Sequence, residues 1–226
     1  MNSLRCVSWS ELTDWWLSEV ESDPAYGEVV TPMLLRALDP APRRLYLDVG
    51  CGEGRVKREL MEKGALVHGL DINRELAARA GTAVQADMRA MPMRDDSYHG
   101  VYAVLSLEHV PDHWVFFAES ARVTKPGGAL AVVINHPIWT APDSTPISDS
   151  EGEMLWRPGR YFSFGSSEVP AGRSVIRFHH RSMSDLLNAA ADAGWSLEHM
   201  IEQPHHELEE QACIPRLLAC RWRLDP

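Results

Sequence analysis

Residues 45–55 read Leu-Tyr-Leu-Asp-Val-Gly-Cys-Gly-Glu-Gly-Arg. An apolar run ends in an acid, and glycines follow at positions 50, 52 and 54. Val56, Leu60 and Met61 then recur at helical spacing. The order is strand, tight loop, helix, which opens a nucleotide-binding sheet. Glycine adopts positive φ and lets a ligand approach the backbone, so this spacing suggests a loop shaped around something bound.

The ligand is read from what the loop has and lacks. A phosphate-cradling loop needs Lys-Ser/Thr after its last glycine, and here Arg55-Val56 follows. The dinucleotide fingerprint is G-x-G-x-x-G. This chain has G-x-G-x-G, which disfavours an NAD-dependent oxidoreductase, and Asp48 stands where a pyrophosphate would be repelled. An acid there suits an amine. Asp71 closes the apolar run 66–70. It lies at the end of the next expected strand, where a carboxylate can accept bonds from both ribose hydroxyls. Ribose, an amine and no phosphate together describe S-adenosylmethionine.

Four segments then carry a family resemblance: LDVGCGEGR (47–55), GLDIN (69–73), QADMRAMPMRDDSYHGVYAVLSLEHV (85–110) and KPGGALAVVI (125–134). In this order they resemble class I S-adenosylmethionine-dependent methyltransferases, most of all the small-molecule branch that includes ubiquinone-biosynthesis-type enzymes. The resemblance is strong over residues 24–135 and elsewhere rests on layout. It implies a Rossmann-like, doubly wound α/β fold: a mostly parallel seven-stranded sheet, N-terminal helices and a lid inserted after strand five. It also implies methyl transfer to O, N or activated C of a small aromatic or apolar acceptor, leaving S-adenosylhomocysteine. A tRNA-modifying methyltransferase and a non-catalytic S-adenosylmethionine-binding regulator are the alternatives.

Composition bounds these readings. At 226 residues the chain suits one domain with a substantial core. The formal net charge of −10 argues against a nucleic-acid partner, which usually needs a basic face. No apolar run reaches membrane-spanning length. Met1–Cys6 lacks a signal-peptide pattern, so a cytoplasmic location is expected. Cys6, Cys51, Cys213 and Cys220 are scattered and show no paired metal spacing, as expected for reduced thiols. No metal set is expected, and the His205-His206-Glu207 tract reads as an exposed loop. A monomer or homodimer is expected.

Along the chain, 1–43 reads as a helical cap, 44–135 as the cofactor-binding core, 136–173 as the lid and 174–226 as the rest of the sheet. Ser10 is the expected cap of the first helix. Core strands are expected near 44–49, 65–70, 83–86, 99–105 and 129–135, with helices over 54–63, 73–80 and 112–124. Their alternation implies parallel pairing. Residues 136–173 read as one long irregular insert. A strand over 174–180, a helix from about Ser184 to Ala193, and strands near 195–201 and 214–222 follow. The last two are expected to pair antiparallel at the sheet edge.

The resemblance also implies roles. Asp48, Gly50, Gly52 and Gly54 match the first motif, with the cofactor's methionine end over the loop, its ammonium near Asp48 and its carboxylate at the helix start. Cys51 would contribute backbone contact, and Arg55 reaches toward the carboxylate. Asp71 is the ribose acid, with Ile72 on the adenine face. Asp87 would accept from the adenine amine, with Met88 offering its N–H. Leu105 and Ser106 would touch the cofactor, and Tyr26 would cover it. For an oxygen acceptor a histidine is the natural base near neutral pH. His109, in the "EH" after strand four, His136 and His180 are the candidates. Trp139, Trp156, Tyr161 and Phe164 are expected to form an apolar acceptor wall, which Trp16 extends.

Overall fold

A computed structural model describes residues 5–204 and 214–225. The His205-His206-Glu207 tract and Cys213 lie outside them. Seven strands form the central sheet: β1 (Leu45–Val49), β2 (Leu66–Asp71), β3 (Ala83–Gln85), β4 (Tyr98–Val104), β5 (Thr124–Asn135), β10 (Trp195–Pro204) and β11 (Pro215–Leu224). Their order is β10-β11-β5-β4-β1-β2-β3. Pairs β3-β2-β1-β4-β5 are parallel, and β11 runs antiparallel to both β5 and β10. Strand order reverses between β1 and β4, so the carboxyl ends of these strands flank a crevice, the usual ligand position in an open α/β sheet.

Alternation along each strand builds two cores. Leu47, Val49, Val101, Ala103, Leu130 and Val132 face one side. There they meet Phe116 and Phe117 of α5 (His113–Val123) and Leu186 of α7 (Met183–Asp192). Tyr46, Tyr102, Ala131 and Val133 face the other side. They pack on Met33, Leu34 and Leu38 of α2 (Thr31–Leu38) and on Val56 and Leu60 of α3 (Arg55–Glu62). The expected helices 54–63 and 73–80 are present as α3 and α4 (Arg74–Arg79). Gly64 and Gly81, both at positive φ, follow them.

Four expectations are corrected. The first full helix, α1 (Thr13–Ser22), is preceded by Leu12, not capped by Ser10. A short 3-10 turn at Trp9–Glu11 takes Ser10 into its own body. β5 begins at Thr124, directly after α5, and not at 129. Residues 136–173 are not irregular. They hold α6 (Pro137–Thr140), the hairpin β6 (Thr145–Ser148)–β7 (Met154–Arg157), and β8 (Gly165–Ala171). Finally, β9 (Ser174–His180) pairs with β8 in a separate ribbon and not with the central sheet. Gly172-Arg173 makes the turn, with Gly172 at φ 61 in the first central position, where a type II′ hairpin turn needs glycine.

The chain's beginning joins that ribbon. Val7 N–H donates to the Val175 carbonyl at 3.0 Å, and Val175 N–H donates to the Arg5 carbonyl at 3.1 Å. Trp9 is thereby brought over the carboxyl ends of the core strands.

Candidate active site

The cavity at this crevice has a volume of about 300 Å³. Gly50 and Gly52 enter it from the loop after β1, Asp71 and Ile72 from the end of β2, and Asp87 and Met88 from the segment after β3. Leu105, Ser106 and His109 enter after β4. Eight expected cofactor positions therefore share one wall system. Gly50, at φ 78, is held by Ser106: a Cβ there would lie 2.5 Å from the Ser106 Cβ. Only glycine fits that approach.

Asp71 ties the loop to the cavity floor. Its Oδ2 accepts from Gly52 N–H at 2.8 Å, and its Oδ1 from Asn73 N–H at 2.8 Å. Burial pushes its carboxyl up, and the bonds from Asn73 and Gly52 pull it back toward the ionised form. Each oxygen keeps a second lone-pair direction for a ribose hydroxyl. Asn73 caps α4 by accepting from Glu75 and Leu76 N–H, and its amide donates to the Trp9 carbonyl and Thr13 hydroxyl. Asn73 thus fastens the N-terminal segment to Asp71.

Asp48 lies beneath the loop, 2% exposed, and borders a 30 Å³ pocket with Tyr26, Cys51, Glu53 and Arg55. Its Oδ2 has no hydrogen-bond partner, nor does the nearby Tyr102 hydroxyl. Burial pushes its carboxyl up to about 8. A buried acid in this state gains a partner when a cation arrives. Cys51 turns its thiol into the fold against Gly69. Gly54, at φ 86, is the residue that starts α3. The Arg55 guanidinium lies 5.6 Å from the Tyr26 ring centroid.

Other expected residues stand differently. Asp87 lines the cavity with both its oxygens taking bonds from Arg89, which also reaches Asp112. That pairing holds its carboxyl below the ordinary range. Trp16 donates from Nε1 to Glu53 Oε2 at 3.0 Å and packs edge-on to Tyr26. It clamps the glycine loop as well as lining the cavity.

The three histidines separate. His109 lines the cavity between the rings of Trp9 and Phe178. Its Nδ1 lies 3.3 Å from the Arg177 carbonyl. A carbonyl only accepts, so Nδ1 carries the proton and Nε2 is the basic atom. Burial lowers its pKa to about 4. His136 and His180 line no part of this cavity and have both nitrogens engaged. His136 accepts from Ile138 N–H at Nδ1 and meets Glu202 at Nε2, 2.9 Å away. His180 meets Thr140 Oγ1 and the Tyr161 carbonyl. Both brace the segment after β5.

The expected aromatic wall does not face the cavity either. Trp139 stacks on Trp156 at 4.7 Å. The Tyr161 hydroxyl caps α7 by accepting from Met183 N–H. Phe164 is 81% exposed. Trp139, Trp156 and Tyr161 hold the insert to itself and to the core. The cavity is roofed instead by Val7, Ser8 and Trp9, with Ile176 and Arg177 of β9. No sequence periodicity marks that roof; Asn73, inside the GLDIN segment, was the available signal.

Comparison with known proteins agrees with this geometry. Residues 47–132 match the methyltransferase domain family. A crystal structure of an S-adenosylmethionine-dependent methyltransferase from Mesorhizobium loti superposes with a TM-score of 0.77 at 27% identity. That match covers 90% of this chain and 99% of the other. Residues 47–132 thus match a methyltransferase domain, and the fold is that of an S-adenosylmethionine-dependent methyltransferase. Among curated relatives, the chain is 34% identical over 133 residues to methyltransferase GfsG of Streptomyces halstedii, covering 52% of this chain and 48% of that protein. It is 38% identical over 104 residues to a sterol 24-C-methyltransferase of Gibberella zeae, covering 40% of this chain and 27% of that protein. The chain thus spans half or less of the length of these relatives. Among the described residues no helix is long and apolar enough to cross a membrane, and no group of His, Cys, Asp and Glu is placed to hold a metal.

Proposed function

We propose that the chain transfers the methyl group of S-adenosylmethionine to O, N or activated C of a small organic acceptor, as in the small-molecule branch of the family. One observation carries the reading. The 300 Å³ cavity brings Asp71, the glycine loop and the residues after strand four together at the carboxyl ends of the sheet. In this reading Asp71 holds the ribose, Asp48 and the loop hold the methionine end, and Ile72 and Met88 flank the adenine. The sulfonium supplies an electrophilic methyl. The protein's task is then to align an acceptor in line with the S–CH₃ bond and exclude water. His109 Nε2 takes the proton where the acceptor is a hydroxyl.

The net charge of −10 supports a small acceptor over tRNA. The test is incubation with trideuteromethyl-labelled S-adenosylmethionine and an acceptor panel, followed by mass spectrometry. Label in an acceptor, matched by S-adenosylhomocysteine, is the expected result. A protein that binds the cofactor and labels no acceptor would favour the regulator reading.

A further inference from the structure

A second cavity, of about 240 Å³, lies against the first and shares Leu105 with it. It also shares Tyr26 with the pocket over Asp48. Leu105 has φ 48, a left-handed conformation that is strained for a non-glycine residue. Such strain persists where the surrounding structure holds it, often beside a functional centre. The cavity's lining includes Leu105 and Tyr26, both expected cofactor contacts, so it is placed to hold an acceptor. Its volume is near the lower end of the range for small-ligand pockets, which suits an acceptor of about one ring.

Its distinctive group is Arg216, near the start of β11. The guanidinium lies 4.6 Å from the Trp139 ring centroid and donates to Asn135 Oδ1. No ion pair reaches it among the described residues. Asp23 also borders the cavity but is not paired with it; its Oδ1 accepts from Ala25 N–H at 2.8 Å. Glu108, the other nearby acid, directs Oε1 at Asn135 instead. A half-buried guanidinium with one neutral side-chain hydrogen-bond partner among the described residues is an incomplete arrangement. Its planar fork matches a carboxylate, and the Trp139 and Asn135 contacts fix its orientation in advance.

Resting on the methyltransferase reading, we propose that this second cavity is the acceptor chamber and that Arg216 selects acceptors bearing a carboxylate. The acid would dock on the Arg216 fork, and the methylated atom would lie toward Leu105, where the two cavities meet. In a chain this acidic overall, an anionic acceptor needs such a local cation to enter.

The test uses the protein saturated with S-adenosylhomocysteine and titrated with matched acids and amides. Benzoate with benzamide, 4-hydroxybenzoate with its amide, and indole-3-acetate with its amide are the probes. At least one acid should bind tenfold or more tighter than its amide. Arg216→Gln should reduce that preference below about twofold and leave S-adenosylhomocysteine affinity within about twofold. Arg216→Lys should keep part of the preference, because it keeps the charge and loses the fork. If wild-type protein binds S-adenosylhomocysteine but prefers no acid over its amide, or if the preference survives Arg216→Gln, the selection role is wrong. If wild-type protein binds no S-adenosylhomocysteine, the methyltransferase reading itself has failed.

Discussion

Replacing Asp48 with Asn should stabilise the cofactor-free protein and weaken its cofactor binding. Asp48 is 2% exposed and its Oδ2 has no partner. Burial moves its carboxyl from 3.8 to about 8. Between these values the folded protein holds a proton that the unfolded chain has released. For an acid raised in the folded state, stability is therefore fully present at low pH and is lost as pH rises from 3.8 toward 8. At about 1.4 kcal/mol per pH unit, that loss reaches about 4 kcal/mol at pH 7. Asn has nearly the same shape, does not ionise, and can donate to the Tyr102 hydroxyl. It should recover up to about 4 kcal/mol at pH 7 and little at pH 4. An arriving ammonium reverses the balance by pairing with the carboxylate, so cofactor binding at pH 7 should release a proton. Losing that pair should weaken S-adenosylhomocysteine binding by about 100-fold or more. Urea unfolding of both proteins from pH 5 to 8, with calorimetric titrations in two buffers of different ionisation enthalpy, measures each part. A variant less stable than wild type across this range, or a stability gap that does not widen with pH, would refute the reasoning. This is a site residue held at a cost to stability.

Three further outcomes follow from the geometry. Asp71→Asn should weaken S-adenosylhomocysteine binding by about 30-fold or more. It should also lower stability by about 1–3 kcal/mol, because one amide end must face either Gly52 N–H or Asn73 N–H as donor against donor; calorimetry and thermal unfolding read the two effects. Gly50→Ala should abolish binding, since its Cβ would lie 2.5 Å from Ser106 Cβ at a φ of 78, and retained affinity in a titration would contradict that packing. His109, at a pKa of about 4, is neutral through the physiological range, so acceptor methylation should show no acid limb from this residue until pH approaches 4; a limb near 6.5 that disappears in His109→Gln would contradict it.

The parallel core was legible because each unit carried its own punctuation. Gly64 and Gly81 stop helices, and apolar runs end in Asp48 and Asp71. The edge strands were legible for the same reason, with Gly194 ahead of β10. Asp71, Gly50 and Gly52 could be placed because their positions follow from where strands end. Residues 136–173 read as irregular because their strands are short and largely exposed, with apolar residues such as Met154, Leu155 and Trp156 adjacent instead of alternating; Gly172 marks the turn of the ribbon. The histidines show the limit most clearly. His109, His136 and His180 all follow strands, yet only His109 turns to the cavity, because tertiary partners take both nitrogens of the other two. The roof was hidden for a related reason: Trp9 is held over the cavity because Val7 bonds to Val175 and the Trp9 carbonyl accepts from Asn73, long-range contacts that adjacent sequence does not record.

Calorimetric titration of the wild-type protein with S-adenosylhomocysteine, with NAD as the control ligand, tests the central claim most directly. The account predicts one site per chain with micromolar or tighter affinity for S-adenosylhomocysteine and no heat from NAD. Binding of NAD, or no binding of S-adenosylhomocysteine by folded protein, would contradict it.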